Sequence, residues 1–357
     1  MNPLAVECTN LSKTFDGTTS AIYDLSLTVQ KGKILALLGP SGCGKTTTLR
    51  MIAGFERPNT GTIRIEGNLV TNGHKFVPPE KRGVSLVFQE HALFPHLTVF
   101  ENVLFGLKKN EESRKQAGFY LRLVGLEGFA DRYPHELSGG ERQRVALARA
   151  MAPQPVLILF DEPFSNLDAD RRTRIREEVR AILKASGSTA IFVTHDQEEA
   201  MFMGDQLAVL NGGRLEQIGT PEEVFQTPAT RFVAEFMGNT DFLHGEVTEG
   251  GISTEIGLLD QPTNLPPGTP VEIAVRFDDV TFEPKAGEKS IVLARYFKGA
   301  YNIYRLRLPS GRLIHAMQPH TRQIRPGTPV RVVLDPGHAL ACFYEGRAVG
   351  LTGKVSA

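Results

Sequence analysis

Short apolar runs alternate with helical patterns along the first two thirds of the chain. KILALLG (33–39) and VLILF (156–160) are almost wholly apolar, the pattern of parallel strands buried on both faces. STAIFVTH (188–195) and QLAVLNGG (206–213) predict two more strands, and DRRTRIREEVRAILKAS (170–186) predicts a helix. This alternation predicts an α/β domain built on a largely parallel sheet. A mostly helical insertion is expected at about 90–150, with helices in SRKQAGFYLRLVGL and after LSGG.

The pattern changes near residue 240. Beyond it, Pro and Gly punctuate short alternating segments. VEIAVRF (271–277) puts Val271, Ile273, Val275 and Phe277 on one face, and YNIYRLRL and RLIHAMQ flank the hairpin-like turn Pro309-Ser310-Gly311. PVRVVLD follows. An all-β region, a small barrel, is predicted. The expected domains are therefore 1–239 and 240–357. PGTPVEIAV (267–275) returns as PGTPVRVVL (326–334) after 59 residues. Two related β-modules explain this; a common turn before a strand explains it equally.

The chain has 357 residues, 41% apolar, with 40 Lys plus Arg against 40 Asp plus Glu. The balance gives no bias toward nucleic acid. Cys8, Cys43 and Cys342 have no metal-ligand or redox spacing, which favours a reduced cytosolic setting. The start, MNPLAVECTNLSKTF, lacks a charged segment followed by an apolar one, so secretion is not expected. No run reaches the roughly 18 apolar residues that cross a bilayer, so any role at a membrane is expected to run through partners.

GPSGCGKTT (39–47) fits the phosphate-loop pattern in full, after an apolar strand and before TTTLRMIAG, a predicted helix. Gly39, Gly42 and Gly44 let the backbone curl after Pro40, which has no N–H, so that the N–H groups from Ser41 through Cys43 to Thr47 face a phosphate. Lys45 is placed to reach the β- and γ-phosphates of ATP, and Thr46 to offer a hydroxyl to Mg²⁺. VLILFDEP (156–163) is a strand ending in two carboxylates. Asp161 suits Mg²⁺; Glu162 suits a base that orients and polarises water. Cys43 reads as a small residue among amides. A low-pKa thiolate, open to oxidative inactivation, is the alternative.

LSGGERQR (137–144) has two glycines opening a helix, yet no lysine beside them. A phosphate loop, an LSGG loop and a strand-DE pair, in this order, resemble the ATP-binding cassette (ABC) ATPases over residues from about 4 to 237. The resemblance implies that Ser138, Gly139 and Gly140 bind the γ-phosphate held by a second copy, in a homodimer that sandwiches two ATPs. It implies a magnesium- and water-sensing role for Gln89 in VFQE (87–90), a γ-phosphate role for His195 in VTHD (193–196), and an interface role for Asp168 in SNLD (165–168). Phe15 matches the aromatic that stacks on adenine, with Tyr23 as the alternative. One departure is Glu141, where the family usually has glutamine; it is expected to point away from the nucleotide.

The short spacing between Gln89 and Ser138 leaves no room for the long heptad arms of DNA-repair cassettes. ALFPHLTVFENVLFGL (92–107) resembles the segment by which importer ATPases grip a permease helix. Leu93, Phe94, Leu97 and Val99 are groove candidates, with core packing as the alternative. The C-terminal region resembles the oligonucleotide-barrel-like regulatory domain of several importers. The implied protein is the energy-coupling ATPase of a bacterial ABC importer, peripheral to the cytoplasmic face of the inner membrane. Its implied partners are an integral permease and, indirectly, a periplasmic solute-binding protein. RYFKGAYNIYRLRL and the divergent β region resemble ferric-iron importers most. Polyamine, sulfate or sugar import, or a soluble ABC ATPase, are the other readings. The β region is expected to bind a regulator or to pair subunits.

Overall fold

In the computed structural model, which describes residues 3–15, 19–88, 93–165 and 169–350, the apolar runs form the centre of one sheet. The chain enters through a long antiparallel pair, β1 (Leu4–Phe15) and β2 (Thr19–Gln30), and continues into β3 (Ile34–Leu38). Helix α1 (Lys45–Ala53) follows, then β4 (Thr60–Ile65), β5 (Asn68–Thr71) and β6 (Val84–Val87). The expected helical insertion holds α2 (Val99–Leu104), α3 (Glu111–Leu123) and α4 (Gly139–Met151). The chain returns through β7 (Leu157–Asp161), α5 (Ala169–Ala185), β8 (Ala190–Thr194), α6 (Gln197–Met203), β9 (Gln206–Asn211) and β10 (Arg214–Gly219).

The main sheet has the order β10-β9-β3-β8-β7-β6 and is parallel from β9 to β6. Its alternate side chains feed two cores. Leu35, Leu37, Leu157, Leu159, Ile191 and Val193 pack toward α1 and the β2-β1-β4-β5 sheet. Ile34, Ile158, Phe160, Ala190 and Phe192 pack toward the helical insertion. Both faces are covered, which is why these strands carry no polar alternation.

The chain divides between Pro221 and Glu222 into two compact units, earlier than the 239/240 boundary expected from composition. Helix α7 (Pro221–Gln226) opens at the division and α8 (Arg231–Phe236) follows. Ala234 of α8 packs in one cluster with Ala274 and Phe343 of the β region. Arg231 Nε also lies 2.9 Å from Glu272 Oε2. A helical pattern alone does not show which unit a helix packs on.

The second unit continues with β11 (Thr240–Thr248), β12 (Gly251–Thr254), β13 (Gly257–Leu259), β14 (Pro270–Arg276) and β15 (Val280–Pro284). Then come β16 (Ile291–Phe297), β17 (Tyr301–Arg307), β18 (Leu313–Pro319), β19 (Val330–Leu334) and β20 (Cys342–Tyr344), with the short β21 (Arg347–Ala348) last. The runs β11–β15 and β16–β20 are two versions of one module. Gly268 N donates to Val247 O and Val247 N to Thr269 O; Gly327 N donates to Val292 O and Val292 N to Thr328 O. Thr269 Oγ1 bonds Pro266 O and Thr328 Oγ1 bonds Arg325 O, both at 2.7 Å. The shared bonds reach beyond the turn to the partner strand, so the PGTP echo is a structural repeat. The modules also exchange their last strands: β15 pairs with β19, and β20 pairs with β14. One core spans both.

Candidate active site

The C-terminal ends of β3, β8 and β7, neighbours in the sheet, carry the chemistry. Ligands of open α/β sheets sit at this edge. From β3 the chain turns through Gly39 to Gly44. Gly42 and Gly44 have φ of +79° and +101°, a backbone that side chains rarely adopt. A Cβ on Gly44 would lie 2.4 Å from Ala21 O, so the loop needs its glycine there. Helix α1 begins at Lys45 with no side-chain cap and no acid in its first turn. Its first N–H groups are left free of side-chain caps, which together with the helix dipole suits an anion. Thr47 is half-buried in that first turn, while Ser41 is exposed on the loop.

Lys45 is only 5% exposed. Its ammonium donates to Gly39 O at 2.7 Å and Pro40 O at 2.9 Å, which fixes the cation against the loop. Cys43 is buried, and a Cβ on Gly39 would meet its Sγ at 2.6 Å. Burial pushes the Cys43 thiol up, with Lys45 pulling the other way. The side chain fits the small-residue reading, and a raised thiol carries less of the thiolate that oxidation favours.

Thr46 Oγ1 donates to Asp161 Oδ1 at 2.9 Å. Burial pushes the Asp161 carboxyl up against that hydrogen bond. The two residues bring hard oxygens together across the mouth of the loop, the donor set Mg²⁺ takes. The next residue, Glu162, has φ of +46°, a sparsely populated region for a non-glycine residue. The turn is held by Glu162 N to Val193 O at 3.0 Å and by Ser165 Oγ to Glu162 O at 3.0 Å. It brings the Glu162 carboxylate to 3.2 Å from His195 Nδ1, off the end of β8. Lys45 and Thr46 at the start of α1, Asp161 and Glu162 at the end of β7, and His195 just after β8, scattered in sequence, thus meet at one edge of the sheet.

Ser138 caps α4. It accepts from Glu141 N at 3.4 Å, and Glu141 Oε2 accepts from Ser138 N at 2.7 Å, a capping box. Those hydrogen bonds hold the Glu141 carboxyl below the usual range. Glu141 is therefore folded back on its own helix start. Gly139 and Gly140 open the first turn, and a Cβ on Gly140 would meet Ile175 Cδ1 of α5 at 2.8 Å. Gln143 Nε2 donates to Pro163 O at 3.3 Å, tying α4 to the segment after Glu162.

Phe15 and Tyr23 are both exposed at about two fifths, Phe15 beside the Lys13 ammonium and Tyr23 beside Arg214. Gln89 and Asp168 lie outside the described residues. Around α2 a groove of about 750 Å³ is lined by Leu97, Leu104, Phe105 and Leu107, with Lys109 and Arg114 among its polar residues. Of the expected groove residues, Leu97 lines it. Val99 is core and Leu93 packs against that core, while the Phe94 ring lies 4.2 Å from that of Phe105, a groove residue. Two residues had no sequence signal: Arg82, which closes the far end of α1, and Glu199, behind His195.

Residues 22–165 match the family model described as ABC transporter, and residues 273–341 match the TOBE domain. The putrescine transport ATP-binding protein PotG of Escherichia coli (strain K12) is 41% identical over 92% of this chain and 91% of its own length. The Fe(3+) ions import ATP-binding protein FbpC of Brucella abortus (strain 2308) is 45% identical, covering 80% of this chain and 82% of its own. A solved dimeric ATP-binding cassette in a post-hydrolysis state, bound to ADP and Pi, matches with a TM-score of 0.52 at 32% identity, over 60% of this chain and 98% of that one.

Proposed function

The chain belongs to the ABC transporter family, among its import ATP-binding subunits, and from that premise we propose that it is the ATP-hydrolysing motor of a bacterial ferric-iron importer. The observation that carries the motor is the convergence of Lys45, the Thr46–Asp161 pair and the Glu162–His195 pair at one sheet edge. Lys45 and the uncapped start of α1 bind the phosphates of ATP. Thr46 and Asp161, with Gln89, would hold Mg²⁺, which would supply positive charge to offset what develops on the phosphate. Glu162 takes the proton of the attacking water as general base, and His195 steadies the γ-phosphate. Phe15 stacks on adenine.

A second copy completes the site. Ser138, Gly139 and Gly140 of the partner chain supply donors for the γ-phosphate. The capping box uses Glu141 N and Ser138 N internally, which leaves the glycine N–H groups and the Ser138 hydroxyl proton for that contact. The solved dimer supports this pairing. ATP closes the pair and hydrolysis reopens it. The groove around α2 takes a cytoplasmic helix of an integral permease, so the chain works at the inner face of the membrane without crossing it. No helix among the described residues is long and apolar enough to cross. A periplasmic binding protein delivers the solute. In this division of labour the first unit is the motor and the β region the regulator.

Ferric iron is supported by the 45% identity to the iron import subunit, an identity that a spermidine/putrescine import subunit of Acidothermus cellulolyticus also reaches. A polyamine is the second reading, supported by the longer span of the putrescine match. Both are tested by replacing the chain in cells with Glu162→Gln. The purified variant should bind ATP, accumulate as a dimer and hydrolyse about 10²–10³-fold more slowly. Cells carrying it should lose uptake of radiolabelled Fe³⁺ and keep that of putrescine; the reverse pattern selects the polyamine. Near-normal hydrolysis removes Glu162 from its role.

A further inference from the structure

The turn that carries His195 is held from behind by an acid. Glu199, on α6, is 3% exposed. Its Oε2 accepts from Thr194 Oγ1 at 3.1 Å, and its backbone N–H donates to Asp196 Oδ1 at 3.0 Å. Thr194 Oγ1 accepts in turn from Asp196 N at 3.0 Å. His195 is the residue between those two, so both its chain neighbours are pinned to Glu199. The His195 side chain itself is 58% exposed. The turn orients the imidazole, because burial does not.

Stability alone does not explain this carboxyl. Its Oε1 has no hydrogen-bond partner among the described residues, and such a buried atom costs free energy. Burial pushes the carboxyl up to about 7, the Thr194 hydrogen bond opposes this, Asp196 adds to it, and Arg176 and Arg172 oppose it. Those arginines lie on α5, the helix that follows residues 166–168. Glu199, Arg172, Ser165, Glu162 and His195 together line a small cavity of about 50 Å³.

We propose that Glu199 is a positioning residue for hydrolysis: its carboxylate, tied to Thr194 and facing Arg172 and Arg176, fixes the turn that presents His195 beside Glu162. It touches neither the nucleotide nor the reacting water. The device links α5 to the imidazole, so movement of α5 changes how His195 meets phosphate. The groups that face it are Arg172 and Arg176 from α5, Asp196 and His195 from the turn, and Glu162 from the end of β7. This inference rests on the roles proposed for His195 and Glu162.

Glu199→Gln keeps the shape and an acceptor for Thr194 but carries no charge. At pH 8.5 its kcat should fall about tenfold, in the range of supporting residues that orient a reacting group, with KM for ATP within about twofold. The gap should close toward pH 5.5, where the wild-type carboxyl is itself neutral. The sign for stability is opposite. A carboxyl whose folded value lies above its unfolded 4.5 destabilises the fold as pH rises. The amide escapes this, so the variant's Tm at pH 8.5 should equal or exceed that of wild type. Glu199→Ala, which also loses the acceptor, should lose further activity. An unchanged kcat at pH 8.5, a pH-independent ratio, or a Tm that falls in step with kcat each overturns the proposal. Normal turnover in Glu162→Gln would instead overturn the reading beneath it, while leaving these ratios measurable.

Discussion

Arg82 is 4% exposed, and its guanidinium gathers three separate segments. Nη1 donates to Met51 O at 2.8 Å and Ile52 O at 3.0 Å, Nε to Val77 O at 2.7 Å, and Nη2 to Thr71 Oγ1 at 2.7 Å. The plane also lies 5.0 Å from the Phe76 ring centroid. Burial lowers its pKa to about 10, so it is still a cation at neutral pH, set against the negative end of α1. Gly54 follows that helix with φ of +91°, and a Cβ there would lie 2.5 Å from Arg82 Nε. The phosphate helix is thus free at its front and locked at its back. Arg82→Met should cost about 3 kcal/mol, because it leaves buried carbonyls without their donor. Urea unfolding measures this, and a loss under about 1 kcal/mol would show that solvent replaces the guanidinium. Nothing in FVPPEKRGV announces this residue. Its partners come from positions that only the fold brings together, and Glu199 was hidden for the same reason. Lys45, Asp161 and Glu162 were legible because each sits at a fixed offset from an apolar strand.

At the scale of elements, the strands were readable wherever both faces are buried. β3, β8 and β9 fall inside the runs that predicted them, and β7 runs one residue past VLILF to Asp161. α8 was not assigned to its unit, since its packing partner Phe343 is more than a hundred residues away in sequence. The repeat was legible only as an echo, and the hydrogen bonds decide its meaning. Gly268 and Gly327 have φ of +86° and +85°, and a Cβ on either meets nothing within 4 Å. Alanine at these sites therefore meets only backbone strain, about 1 kcal/mol. Gly268→Ala and Gly327→Ala should cost the same within about 0.5 kcal/mol when compared by urea midpoint at constant slope. A difference above about 1 kcal/mol would mean that the two turns are alike in sequence and not in constraint.

For the whole molecule, a net charge of zero hides a division of charge between the two β-modules. Residues 240–288 hold ten Asp plus Glu against two Lys plus Arg, while 289–334 hold nine Lys plus Arg and no Asp or Glu. The balance of 40 basic against 40 acidic residues averages over this division. Exposed Arg295, Lys298, Arg307 and Arg331 belong to the second module; exposed Glu246, Glu249, Glu255 and Asp278 belong to the first. Charges separated by more than a Debye length, about 10 Å at 0.1 M salt, act independently. A surface therefore responds to the module it meets and not to the sum. At pH 7.5 and low salt the full chain should bind a cation exchanger despite its neutral total. The double variant Lys298→Glu, Arg307→Glu should elute at lower salt, with ATPase activity unchanged. Passage of the wild type straight through the column would show that the acidic module lies close enough to cancel the basic one.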